Sequence, residues 1–388
     1  MKRITGTTQK TTVTGETVEA FIPFDLPPAD PLLDLGNTAR QMLQEASTGL
    51  ERLELAADLV PSIDWFIYGF VRKEAVVSSQ IEGTQATLVD LLDFEALETR
   101  EPSPSPDIEE VCNYLDALGY ARSELASADG LPLSMRLLNG CHRRLMDGTR
   151  GSSKQPGEVR RSQNWIGGTR PGSAVFVPPP PAALAGVLSS FERFIHSPSD
   201  LPPLIRIGLL HVQFETIHPY LDGNGRIGRL MIAVLLEHWS LLTQPLLYLS
   251  LHFKRNLDEY YNRLGAVRTK GDWEGWLLFF LDGVRSISKE TVQTARELSS
   301  LVRQDRERVL GGKGSSIASA RLFEQLPSHP VLTIKRATRI LEATKPTASK
   351  AVNVLVDEGI LAETSGRKRD RLFAYRRYLE LLGSGTEL

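Results

Sequence analysis

H-P-Y-L-D-G-N-G-R-I-G-R, residues 218–229, separates two apolar runs, Leu204 to Ile217 before it and Leu230 to Leu236 after it. Both flanks have helical character. The twelve residues between them include one histidine, one aspartate, one asparagine, three glycines and two arginines. That composition suits neither helix and is dense in groups that handle anions and protons.

Three known loops share parts of this stretch and can be tested against it. A P-loop needs G-x-x-x-x-G-K-[ST], and no Lys-Ser or Lys-Thr follows these glycines. A calcium loop beginning at Asp222 would need Gly at its sixth position and Glu at its twelfth, where the chain has Ile227 and Ala233. His211 and His218 have no third partner at zinc-ligand spacing. The parts fit a bound phosphate better. Gly223 and Gly225 let backbone N–H groups approach an oxyanion, and a helix starting near Asn224 aims its positive end there. Arg226 and Arg229, three apart, share a helix face and form a fork for phosphate oxygens. Asp222 is a hard oxygen ligand beside them, suited to Mg²⁺. His218 has the side chain that titrates near neutrality, and Pro219 predicts an extended backbone for it. The plain alternative is a Gly-rich turn between two core helices.

On these residues the stretch resembles the signature of the Fic family, H-P-F-x-[DE]-G-N-G-R-x-x-R, with Tyr220 in place of Phe. The resemblance implies a mainly α fold: a helical Fic-type core with a β-hairpin flap. It also implies transfer of AMP from ATP to a Ser, Thr or Tyr hydroxyl of a protein. His218 would take the hydroxyl proton and Asp222 would hold Mg²⁺ on the α and β phosphates. Gly223, Asn224 and Gly225 would shape the anion hole, and Arg226 and Arg229 would grip the β and γ phosphates. The nucleotide-binding stretch then runs from Gly223 to Arg229, Ile227 and Gly228 included. The branch of the family that transfers phosphate has Lys where this chain has Gly225, so glycine favours nucleotidyl transfer.

Two further stretches gain meaning beside that loop. R-R-S-Q-N-W-I (160–166) and S-A-V-F-V (173–177) flank the turn-rich G-G-T-R-P-G and predict a hairpin. By resemblance it is the flap that holds a protein target by strand addition, and a purely structural hairpin is the alternative. L-H-F-K-R-N-L-D-E-Y-Y-N-R-L (251–264) resembles the segment beside the adenosine, which would give Asn256 and Tyr260 to the nucleotide. On residue type alone, Tyr260 and Tyr261 are core aromatics.

S-S-Q-I-E-G (78–83) ends a predicted helix that Ser62 can cap, with Trp65, Phe66, Phe70, Val71 and Ala75 at helical spacing and Gly83 as its stop. Ser78, Glu82 and Gly83 match the family's inhibitory motif, [ST]-x-x-x-E-[GN], in the class that carries it before the core. Glu82 would compete with the γ phosphate for Arg229 and so misalign the α phosphate. The family offers this glutamate a second role, in removing AMP. A solvated helix end is the alternative.

The 388 residues, 41% hydrophobic and 24% charged with a net charge of -2, imply a globular chain of two or three domains without a general pull on nucleic acid or membrane. Cys112 and Cys141 make no CxxC pair. No apolar stretch approaches the ~18 residues of a membrane span, and the polar start predicts no signal peptide, so a soluble cytoplasmic protein is expected. Composition divides the chain into an N-terminal helical region (1–100), a core (101–310) and a tail (311–388), with E-P-S-P-S-P (101–106) and G-G-K-G-S-S (311–316) as linkers. Residues 1–30 read as an extended lead-in. From residue 312 onward thirteen Lys/Arg face eight Asp/Glu. The tail resembles a winged helix-turn-helix with Arg367, Lys368, Arg369 and Arg371 in the wing. Thr347, Ser349, Lys350 and Asn353 would then face a DNA groove. Protein contact or a homodimer is the alternative use. A nucleotide-sensing, DNA-binding regulator is the competing function for the whole chain.

Overall fold

The computed structural model describes residues 3–58, 63–97, 105–367 and 369–388. Ser62, most of the 101–106 linker and Lys368 therefore lie outside the described residues. Fifteen α-helices and two small sheets make up the described residues, the mainly helical class that the sequence implies.

In chain order the elements begin with β1 (Gly6–Val13) and β2 (Glu16–Pro23). Next come α1 (Asn37–Asp58), α2 (Ile63–Ile81), α3 (Leu88–Leu97), α4 (Pro106–Ala126) and α5 (Met135–Leu145). They are followed by α6 (Pro181–His196), α7 (Pro203–Ile217), α8 (Asn224–His238), α9 (Ser250–Arg255), α10 (Leu257–Lys270) and α11 (Trp273–Gly311). The tail has α12 (Ile317–Gln325), β3 (Val331–Thr333), α13 (Ile334–Leu341), α14 (Lys345–Asp357), β4 (Ala362–Glu363), β5 (Leu372–Ala374) and α15 (Arg376–Gly383). Compactness groups the chain differently from the linear divisions at 100 and 310. One unit holds residues 1–51, 113–245 and 249–288, the other 52–112, 246–248 and 289–388, because α1, α4 and α11 each contribute to both.

The first unit is built around α7, buried along nearly its whole length, and α8, buried from Arg226 to Leu236. A helix that is apolar all round belongs inside. Gly208 lets α11 close on α7: a Cβ there would meet Leu277 Cδ2 at 2.9 Å, and the Trp276 indole donates to the Gly208 carbonyl at 2.8 Å.

The lead-in expected at 1–30 is instead a hairpin. β1 and β2 pair antiparallel from Gly6↔Pro23 to Val13↔Glu16. The two-residue turn Thr14-Gly15 has positive φ at both positions, the geometry that matches strand twist. Its inward residues Val13, Val18 and Ala20 pack with Val177, Trp165 and Ala174. The sequence hides the hairpin because β1 is polar, with exposed residues from Thr7 to Lys10. The 160–177 segment does double back, but its strands shrink to a single antiparallel bridge, Ile166↔Phe176, beside a short 3₁₀ turn at Pro171–Ser173. Residues 160–165 spend their polar groups elsewhere: Arg160 N–H donates to the Pro219 carbonyl, Gln163 to Pro178 and Asn164 to Tyr220. The far side of the segment joins β2 instead, with Phe21 N–H donating to the Val177 carbonyl at 2.9 Å.

In the second unit α2 ends at Ile81 and Gly83 takes φ +95, the stop its residue type implies. The tail elements follow the predicted order, with β3 and α15 in addition. The sheet order is β3-β5-β4, both pairs antiparallel. Ser316 and Ser319 form a capping box for α12, and Thr333 caps α13 through Arg336 N–H. Asp305 of α11, fully buried, accepts from the Tyr375 hydroxyl at 2.8 Å and pairs with Arg308 and Arg377. The Arg336 guanidinium donates to the Glu95 carbonyl and fixes α13 to the end of α3.

Candidate active site

His218 is the C-cap of α7. Its N–H donates to the Phe214 carbonyl at 2.9 Å, and its backbone is left-handed, with φ 50 and ψ 62. This corrects the extended backbone expected from Pro219. A proline disfavours the right-handed helical region before it, and the helix end resolves that conflict in the left-handed one. Non-glycine residues held there are uncommon and collect at functional sites.

Arg160 holds this corner. It is 2% exposed, and its guanidinium donates to the carbonyls of His218 (2.9 Å), Pro179 (2.6 Å) and Ser162 (3.2 Å). The last carbonyls of a helix lack intrahelical partners, and this arginine supplies one. Burial lowers its pKa to about 10, still well above neutrality.

The loop beyond is tied to itself. Asn224 accepts from Tyr220 N–H and donates to the Tyr220 carbonyl, both at 2.9 Å. Asn224 therefore shapes the loop by spending its amide on backbone. Gly223 takes φ 74, and a Cβ there would meet Met146 Sδ at 2.9 Å, so only glycine fits the turn into α8. Gly225 lies in the first turn of α8 and not in a left-handed turn, unlike Gly223. Gly228 serves helix packing: a Cβ would come 2.4 Å from Glu215 Oε1. Ile227 is buried in the core. Arg226 and Arg229 are 4% and 3% exposed, which for guanidiniums demands oxygen-rich surroundings. Arg226 also reaches Met146 Sδ at 3.7 Å.

Two residues of α5 and its C-cap residue support the loop, at i, i+3 and i+7 along the chain. The Tyr220 hydroxyl donates to Asn139 Oδ1 at 2.8 Å. The His142 ring lies flat on the Tyr220 ring, centroids 3.8 Å apart and planes within 5°. Its Nδ1 accepts from Gly157 N–H at 2.8 Å, which leaves Nε2–H to donate to the Asp222 carbonyl at 3.0 Å. Burial lowers its pKa to about 4. Met146 is the third. We expect Tyr220→Phe to cost ~1 kcal/mol in urea denaturation, the worth of one hydroxyl bond, with the ring still stacked. An unchanged midpoint would remove that hydroxyl from the loop's support.

The segment expected beside adenosine divides. Asn256 is exposed between α9 and α10, its side chain donating to the His252 carbonyl at 2.9 Å. Tyr260 is 1% exposed, and its hydroxyl meets His211 Nε2 at 2.8 Å. Tyr260 is therefore packed as a core aromatic, while Asn256 is the exposed member of the pair. His211 Nδ1 in turn donates to the Gly228 carbonyl at 3.1 Å.

Among the described residues no group of three or more His, Cys, Asp or Glu side chains could hold a metal ion. Mg²⁺ does not need such a cage. It keeps its waters and takes one or two carboxylates plus substrate phosphates. Asp222 suits this: it is exposed at the entry to α8, with one carboxylate oxygen on Gly223 N–H at 2.6 Å. No helix of the described residues is long and apolar enough to cross a membrane.

The segment expected to be inhibitory, 78–83, lies in the second unit. Ser78 is buried, Glu82 is exposed one residue beyond α2, and the Gln80 side chain donates to the carbonyls of Ala86 and Thr386 at 2.8 Å.

The helical core thus joins a left-handed histidine corner to a glycine turn and an arginine-bearing helix. Residues 40–123 match the Fic/DOC family N-terminal model and residues 132–236 match the Fic/DOC family model, so the chain carries both regions of that family. It is 32% identical over 207 residues to the protein adenylyltransferase Fic of Drosophila erecta, covering 52% of this chain and 38% of that protein. The same figures hold for the protein adenylyltransferase Fic of Drosophila melanogaster. The chain thus spans under two fifths of the length of these relatives. A crystal structure of a Fic family protein from Desulfovibrio desulfuricans G20 superimposes with a TM-score of 0.57 at 20% identity, covering 88% of this chain and 97% of that one, and so shares the fold.

Proposed function

We propose that this chain is a protein adenylyltransferase that moves AMP from ATP to a Ser, Thr or Tyr hydroxyl of a protein, itself included. The hydroxyl oxygen attacks the α phosphorus, pyrophosphate leaves with the bonding electron pair, and His218 accepts the hydroxyl proton. The N-terminal turn of α8, with Arg226 and Arg229, binds the triphosphate. Asp222 would hold Mg²⁺, which when bound neutralises phosphate charge. The flap at 160–177 is the docking place of the target, and Asn256 is exposed where a nucleoside could reach it.

The observation that carries this reading is the pairing of His218, fixed at the end of α7, with the glycine turn that opens α8. The relatives' names support the transferase over the nucleotide-sensing regulator. Incubation with α-labelled ATP and Mg²⁺ tests it: label enters the chain or a partner, and mass spectrometry reads one AMP per site. Absence of label under every activating substitution would refute it.

We retain three functional divisions: 1–100 with the inhibitory segment, 101–310 with the catalytic residues, and 311–388 as a winged helix. The last rests on the run α12, β3, α13, α14, β4, β5, with exposed Lys345, Thr347, Lys350 and Asn353 on α14. We also assign Ser78, Glu82 and Gly83 as a brake, with AMP removal as a second use of Glu82. Glu82→Gly should raise AMP incorporation by about 10–100-fold, the usual span of a coupling between sites. No gain in a labelled-ATP assay would remove the brake and leave the transferase standing.

A further inference from the structure

We propose that His142 is a positioning residue for the transfer: its ring carries the backbone of Asp222 and so sets where that carboxylate would hold Mg²⁺ beside the phosphates. The proposal rests on the transferase reading and adds a residue that lies 76 positions upstream of His218.

Three contacts fix the ring, and each has a different origin. The flat stack on Tyr220 at 3.8 Å sets its plane. Gly157 N–H, donating to Nδ1 at 2.8 Å, sets its tautomer. The remaining Nε2–H then points to the Asp222 carbonyl at 3.0 Å. A peptide carbonyl held in this way restrains the Cα of the same residue, and Asp222 is the residue just before the left-handed Gly223. The site is built tightly on the other side too. A Cβ on Gly157, φ +79, would meet Arg143 Nε at 2.9 Å and the Asn139 carbonyl at 3.0 Å, and a Cβ on Gly223 would meet the His142 ring at 3.5 Å. Glycine at both places lets backbone come within reach of the one imidazole.

This arrangement separates two duties. Guanidiniums and α8 grip the nucleotide, while His142 governs the alignment of Asp222. A misplacement near 1 Å costs up to ~100-fold in rate without loss of binding. In the full chain carrying Glu82→Gly, His142→Phe keeps the stack and removes both hydrogen bonds. It should lower kcat by about 30–100-fold with KM for ATP changed less than ~3-fold. His142→Gln, whose amide can still donate to the Asp222 carbonyl, should recover about tenfold of that rate.

A Phe variant as active as its parent overturns the proposal. So do Phe and Gln variants with equal losses, because a merely structural ring would give no rescue. Amide hydrogen exchange supplies a readout that needs no turnover. Exchange at Gly157 and across 222–224 should quicken about tenfold in the Phe variant while α11 stays protected, and 222–224 should slow again in the Gln variant. Unchanged exchange also overturns it. If the Glu82→Gly parent shows no transfer at all while exchange responds as expected, the positioning of Asp222 stands and the transferase reading falls.

Discussion

Replacing His218 with alanine in the Glu82→Gly background should lower AMP transfer by about 10³-fold, within the range that a positioned general base supplies. That ratio corresponds to ~4 kcal/mol of barrier. The loss is chemical because the backbone bonds that hold the corner do not pass through the imidazole. The His218 N–H is bonded to Phe214, its carbonyl is held by Arg160, and the next carbonyl takes the Arg160 N–H at 2.9 Å. All three bonds survive truncation at Cβ. Alanine in the left-handed conformation adds strain, so a thermal melt must accompany the assay, and a midpoint within a few degrees of the parent certifies the fold. ATP binding should persist, since α8 and its arginines are untouched. Transfer within tenfold of the parent would mean that another group takes the proton.

The sequence showed the helices and the loop between them for a local reason. Pro202 and Pro203 open α7, Gly223 opens α8 and Gly83 closes α2, and each acts through its own backbone preferences. What stayed hidden depends on partners far along the chain. His142 meets Asp222 across 80 residues, and a lone histidine on a helix normally reads as core. Only its spacing from Asn139 and Met146 hinted at a shared face. Arg160 looked like the start of a strand because nothing nearby announces that its donors belong to the end of α7. The flap lost its ladder to side chains bonding at 178 and 220. The burial of Tyr260 was equally hidden, because its hydroxyl partner His211 lies 49 residues away.

Those two buried imidazoles give the chain an acid limit. His211 and His142 are fully buried. Burial lowers the first to about 3 and the second to about 4, from an unfolded value near 6.5. Their hydrogen bonds agree: His211 Nε2 faces the Tyr260 hydroxyl and His142 Nδ1 faces an amide donor, so each ring is held neutral. A folded pKa below the unfolded one means that the unfolded chain binds protons first. The stability from both rings is therefore complete above pH 6.5 and falls as pH drops toward 4 and then 3. At pH 4.5 the loss is ~2–3 kcal/mol for each, against a whole-domain stability of ~5–15 kcal/mol. Asp93 acts the other way. Burial, with Asp90 beside it, raises its carboxyl to about 6, so acidification relieves a cost there. One half-buried carboxyl does not offset two fully buried rings, and His329, lowered to about 4 by burial, adds to the loss in the second unit. Urea denaturation between pH 7.5 and 4.5 should show stability falling by ~2.7 kcal/mol per pH unit near pH 5, where unfolding lets the three rings take up protons and Asp93 release one, a net of about two. His211→Gln should halve that slope, because one proton then remains in the balance. A slope of zero would require both rings to be charged already in the folded chain, with Gly157 N–H and the Tyr260 hydroxyl turned away from them.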